Sequence, residues 1–230
     1  KNAFLVFTGW QGLVILGLTC LMMLVGNWKW QEILKGMGVK VSFRALFRPY
    51  LAGFSIMFLA PIVPWAGEAF RGFVLKEKNQ IPWSKSLASV IIDRILEWTT
   101  NLIVIFFGIL FFLYQIGRPP RNLGIIFGGV FLFFLLGIII FYFKTFRQES
   151  LVKACGKIFN QNLDSKPLET EKEIFNFFKL KQKSMWKGVG LSFLRAAVML
   201  ARTWLLIFFL GKNIESLPAL SILGFSYLAA

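Results

Sequence analysis

The 230-residue sequence contains no histidine, and its only cysteines are Cys20 and Cys155. Without imidazole it lacks the commonest general base and any histidine-containing zinc set, and two thiols cannot build a disulfide scaffold. Charge is scarce too, 16% of residues against about 25% in soluble domains. Carboxylates are scarcest: 11 Asp and Glu face 26 Lys and Arg, a net charge of +15. What remains is apolar, 57% of the chain, with 27 Phe and 8 Trp. Such a composition excludes a disordered chain and an ordinary water-soluble globule. The basic excess fits a nucleic acid or an anionic membrane surface. No nucleic-acid-binding module is present, and the placing of the bases favours the membrane.

Four segments are long and apolar enough to span: Phe4–Gly26, Trp98–Ile116, Leu123–Phe143 and Gly188–Leu210. The first is no signal peptide, because its basic residues follow the apolar run and no small-x-small cleavage site is evident. The chain opens on Lys1, and the apolar run Leu217–Ala230 stops short of a span, so both ends read as truncated. The expected fold is all-α, a polytopic membrane domain over 1–230. Its metal, cofactor and catalytic sets are all empty.

Loop charges set the orientation. Segment 27–48 carries Lys29, Lys35, Lys40, Arg44 and Arg48 against Glu32; 71–85 nets +3; 144–187 nets +5. These loops are expected on the cytoplasmic side of the cell (inner) membrane. The opposite loops net only +3. This arrangement requires Tyr50–Lys76 to enter and leave on one face, as a re-entrant hairpin. Tyr50–Ala60 is about 16 Å of helix, half a hydrocarbon core, and Pro61, Pro64 and Gly67 break the chain after it. Short Pro/Gly-broken segments mark binding sites in transporters. Within 144–187, Phe175, Phe178 and Leu180 interleave with Lys, and a helix start is read at Ser165. The insert is expected as one or two amphipathic helices on the cytoplasmic leaflet.

A charged side chain within a span costs about 2.5–3.5 kcal/mol on insertion scales, so each needs a reason. Arg195 and Arg202 are two turns apart on one helix face. Glu68 opens the second half-helix with Arg71 one turn on, while Asp93, Arg94 and Glu97 sit on a helix beginning near Ser86. Arg94 is expected to pair with Glu97, and Glu68 with Arg71 or an Arg of the last span. Structural ion pairing and headgroup binding both account for these residues. Four Arg against three carboxylates, beside a half-helix N-terminus, suit an anionic headgroup.

The stretch from Tyr50 to Gly108 contains Pro64, Gly67-Glu68, Arg71, the basic turn Lys76–Lys78, Ser86, Ala88-Ser89 and Asp93-Arg94. In that order these residues resemble the flippase-like membrane domain of the lysylphosphatidylglycerol synthase transmembrane-region family. The resemblance extends over nearly the whole chain through NWKWQEILKGMGVKVSFRALFR and RTWLLIFFLG. It implies movement of anionic, aminoacylated or polyprenyl-linked lipids between leaflets, by a domain that stands alone or is joined to a synthase or glycosyltransferase. It also implies a further N-terminal span and a second Gly/Pro-rich break. Gly224-Phe225-Ser226, repeating Gly53-Phe54-Ser55, would lead into that break. Homo-oligomer formation is compatible with the same reading. The expected partner is a phospholipid or polyprenyl-phosphate lipid, contacted by Glu68, Arg71, Asp93, Arg94, Glu97, Arg195 and Arg202 along a polar groove. Two other classes stay open: a membrane glycosyl- or aminoacyltransferase using Asp93 and Glu97, and a scaffold for a synthase whose deep charges are structural.

Overall fold

A computed structural model describes residues 9–59, 65–115, 117, 121–153, 165–179, 182–211 and 220–224. Among them every regular element is helical: α1 (Trp10–Gly36), α2 (Phe43–Leu59), α3 (Ala66–Asn79), α4 (Trp83–Gln115), α5 (Arg121–Phe146), α6 (Ser165–Phe177) and α7 (Lys183–Phe209). A further helical stretch covers 220–224. Among the described residues four helices are long and apolar enough to cross a membrane, over Trp10–Gly36, Trp83–Tyr114, Gly124–Phe146 and Lys183–Phe209. The chain is an all-α polytopic membrane protein.

The helices overrun the apolar segments. No Gly or Pro separates Asn27 from Gly36, so α1 continues past its apolar part through NWKWQEILKG. Lys29 and Glu32, expected in a loop, therefore lie on a helix. α4, at 33 residues, is about 50 Å long, well beyond the ~30 Å of a hydrocarbon core. Its surplus length carries Ser86, Ser89, Asp93 and Arg94 on the helix that continues into the apolar part.

α2 starts at Phe43 and contains Pro49, so it is longer than the expected half-helix from Tyr50. A proline removes one ladder hydrogen bond, a loss that neighbouring groups make good in membrane helices. α2 is described as far as Leu59, and α3 begins at Ala66. Gly67 lies in the first turn of α3, while Pro61 and Pro64 fall outside the described residues. α2 and α3 pack closely: a Cβ on Gly53 would meet the Gly67 carbonyl oxygen at 2.7 Å. Only two glycines permit that crossing. α3 begins after Trp65, which is left-handed at φ 68° and makes no side-chain capping bond.

The chain divides into two compact units, residues 1–25, 97–138 and 192–230, and residues 26–96 and 139–191. The four long helices contribute residues to both. In the second unit, Ile33 and Met37 of α1, Ile92 and Leu96 of α4, Ile174 and Phe177 of α6, Phe178 and Met185 form the core. This corrects the surface picture of the 144–187 insert. α6 does start at Ser165, but its apolar face of Ile174 and Phe177 is buried within the protein and is not free to lie on a leaflet. Glu171 of α6 also accepts hydrogen bonds from the Leu151 and Val152 amides, at 2.6 and 3.1 Å, and from the Ser150 hydroxyl. It thereby caps the helical turn at 151–153. An apolar cavity of about 380 Å³ lies among Trp83, Leu87, Ile91, Phe141, Ile174 and Phe175.

In the first unit, α4 and the 220–224 helix approach at Gly108 and Gly224, and Ser221 Oγ donates to the Gly108 carbonyl at 3.0 Å. Phe131 and Phe134 of α5 meet Phe106 and Trp98 of α4, with ring centroids 6.5 and 6.4 Å apart. No residue of the apolar window of α5 is buried.

Candidate functional site

The second unit assembles five charged side chains from three helices. Asp93 of α4, 1% exposed, lies between two cations: Lys29 Nζ of α1 is 2.8 Å from its Oδ1, and Arg71 Nη1 of α3 is 2.9 Å from its Oδ2. Lys29 Nζ also donates to the Asp93 carbonyl oxygen at 3.3 Å. Glu68 of α3 forms an ion pair with Arg94 of α4, whose Nη2 is also 3.5 Å from Met57 Sδ on α2. Lys29, Asp93, Arg71 and Glu68 are all buried, which requires pairing, because an isolated charge away from water is prohibitively costly.

Aromatic rings fix the guanidinium of Arg71. Its Cζ stands 4.2 Å from the Trp30 ring centroid and 4.7 Å from that of Tyr50. Trp30 is itself held by its indole N–H, which donates to Ser89 Oγ at 3.2 Å, and Ser89 passes its own hydrogen to the Ser86 carbonyl at 2.8 Å. Arg71 Nη1 is taken by Asp93, but among the described residues its buried Nε and Nη2 have no acceptor. Three cations share two carboxylates here.

The first unit holds a second, smaller set. Arg195 Nη1 of α7 contacts Glu97 Oε1 of α4 at 2.6 Å. Arg202, two turns further along α7, is half-buried, and the described residues offer it no ion-pair or hydrogen-bond partner. Trp204 stacks on Phe208, with centroids 6.2 Å apart. Again cations outnumber carboxylates, by two to one.

The seven charged residues expected at the site fall in two sets. The pairs seen here join different helices: Glu68 meets Arg94, where Arg71 or an Arg of the last span was expected. Arg94 reaches Glu68, Asp93 takes Arg71, and Glu97 takes Arg195. Lys29, Trp30 and Tyr50 escaped sequence reasoning. Lys29 belongs to the topology charges of segment 27–48 in the sequence reading; the available signal of its burial is the adjoining Trp30, itself fully buried. Among the described residues no cluster of acidic or thiol side chains could hold a metal ion.

The family model for the lysylphosphatidylglycerol synthase transmembrane region matches residues 2–230. The chain belongs to that family. It is 28% identical over 190 residues to the UPF0104 membrane protein MJ1595 of Methanocaldococcus jannaschii, covering 77% of this chain and 55% of that protein. With the UPF0104 membrane protein PH1989 of Pyrococcus horikoshii it shares 30% identity over 159 residues, 67% of this chain and 47% of the relative. The chain therefore spans about half the length of these relatives. No solved structure matches it.

Several of the residues by which the chain resembles the lysylphosphatidylglycerol synthase transmembrane-region family have a physical task here. Gly67 permits the α2–α3 crossing, Glu68 holds Arg94, and Arg71 holds Asp93. Ser86, Ala88 and Ser89 are all fully buried on α4: Ser89 receives the Trp30 indole N–H, and Ala88 joins the apolar core.

Proposed function

We propose that this membrane chain is a lipid-translocating domain that moves an anionic, aminoacylated or polyprenyl-linked lipid between leaflets. The reading rests on Arg202. It is a half-buried guanidinium on an apolar span, and the described residues supply no counter-charge. A charge so placed is costly unless a partner arrives, and a lipid phosphate is an anion able to enter from the bilayer while its tails stay in hydrocarbon. In this proposal α2–α3 is a re-entrant hairpin, and the basic segments 27–48, 71–85 and 144–187 face the cytoplasm of the cell membrane. Translocation needs no covalent step, so no nucleophile–base pair is assigned.

The test is movement of a fluorescent anionic lipid between leaflets of vesicles reconstituted with the full chain. Arg202→Ala should slow it by roughly tenfold or more, the worth of one charge-assisted contact. Unchanged translocation in Arg202→Ala would remove the assignment. A second reading, a scaffold whose deep charges are structural, is favoured by the direct Arg195–Glu97 pair at 2.6 Å. It predicts that Arg195→Gln and Arg202→Ala alter stability alone.

A further inference from the structure

We propose that Arg94 is the anion-contacting group of the second unit, that Glu68 is its built-in competitor, and that Arg71 holds Glu68 once an anionic phosphate ester has displaced it. The idea rests on the lipid-translocation reading for its ligand, but on separate residues for its geometry.

Accessibility selects Arg94 among the three cations. The side chains of Lys29 and Arg71 are 1% and 7% exposed and both are committed to Asp93; that of Arg94 is 20% exposed. A phosphate reaching this cluster meets Arg94 first, and finds it occupied by Glu68.

Glu68 can be released at small cost because α3 supports it from two sides. It lies in the first turn, where backbone N–H groups are unmatched and the preceding Trp65 provides no side-chain cap, so its negative charge is favoured without Arg94. Arg71 follows three residues later, hence on the same face of the helix, with Cβ atoms about 5–6 Å apart. The guanidinium of Arg71 is already used at Nη1, and its rings and Asp93 prevent rotation. What remains is the Nε/Nη2 edge, two parallel N–H groups, buried and without an acceptor among the described residues. That edge is the bidentate fork that carboxylates fit.

Charge balance agrees. With Glu68 on Arg94, Lys29 and Arg71 share the single carboxylate of Asp93. After exchange, Lys29 and Arg71 share Asp93 and Glu68, and Arg94 carries the phosphate. Every cation then faces an anion, and the empty fork is filled. The cluster is thus poised to accept one negative charge and to reorganise by a carboxylate swing along a single helical turn.

The experiment measures binding rather than transport, so its outcome is independent of the leaflet assay. The full chain is placed in zwitterionic phosphatidylcholine nanodiscs, and the enrichment of added phosphatidylglycerol is measured for wild type, Glu68→Gln, Arg94→Gln, Arg71→Lys and the Glu68→Gln/Arg71→Lys double variant. Glu68→Gln removes the competitor and should tighten binding by roughly tenfold; Arg94→Gln should weaken it by at least as much. Arg71→Lys keeps the charge but loses the fork, and should weaken binding only while Glu68 is present. Weaker binding in Glu68→Gln would overturn the proposal, as would an Arg71→Lys loss that persists in the double variant. If Arg94→Gln fails to fold, Arg94→Lys serves, with a smaller loss expected and an unchanged affinity counting against the idea. Inorganic phosphate is the second arm: competition at millimolar concentration means that the phosphate group alone is read, and lack of competition assigns the site to lipid-borne phosphate.

Discussion

Arg71 and Arg202 are both arginines on membrane-protein helices, and the protein treats them oppositely. Arg71 is buried against Trp30 and Tyr50 with Asp93 on one edge. Arg202 is half-buried, and the described residues give it no acceptor. The first is held rigidly by its surroundings, with one N–H edge still open, and the second has neither a ring nor a carboxylate against it among the described residues. A guanidinium's role is therefore set by its neighbours, and depth within an apolar segment alone does not reveal it.

The contrast breaks most sharply at Asp93. Asp93→Asn leaves Lys29 and Arg71 buried together without a counter-charge and should cost about 3–5 kcal/mol, read as loss of folded protein in detergent unfolding. Equal stability in that variant would mean that the cluster is not structural. Next in size is Gly67→Ala, which inserts a methyl group against the Gly53 backbone and should destabilise by about 1–3 kcal/mol in the same measurement. Trp30→Phe, losing one indole hydrogen bond and the better cation–π face, should cost about 1–2 kcal/mol. At the other pole, Arg202→Ala should leave unfolding unchanged or slightly raise stability, since it deletes a charge with no partner among the described residues. A cost above about 2 kcal/mol there would erase the comparison, because it would place Arg202 with the structural charges.

Much of this arrangement is legible in the sequence, and the exceptions have physical causes. The four spans follow from apolar length. Of the expected break residues, Pro61 and Pro64 lie outside the described residues and Gly67 lies within α3, where its missing side chain serves the crossing with α2. The expected half-helix from Tyr50 is shorter than α2, because a membrane helix can absorb a proline such as Pro49 that would end a soluble one. Lys29 was hidden because loop-charge counting treats every lysine near a span as solvated, whereas continuous helix through Gly36 carries this one into the core. The pairings were hidden for a related reason. Sequence spacing reports neighbours on one helix, and Asp93, Arg94 and Glu97 each find a partner on another helix. The insert shows the converse: of Phe175, Phe178 and Leu180, Phe175 lies on α6, Phe178 follows its end and Leu180 lies outside the described residues, and amphipathicity does not say whether lipid or protein covers the apolar face.

α5 carries a last lesson, about what a sequence can record. None of its apolar window is buried, and Ile125, Ile126, Phe133, Leu136 and Phe143 are all exposed. Residues held by neighbours retain the shape of those neighbours, so exchanging one disturbs another. Along most of α5 the described chain imposes no such shape, and Phe133→Leu should change stability by less than about 0.5 kcal/mol. Substitutions there should accumulate freely provided they remain apolar. A family alignment read along α5 would then report little beyond the thickness of the membrane, whereas read along α4 it would spell out the partners of each residue in turn.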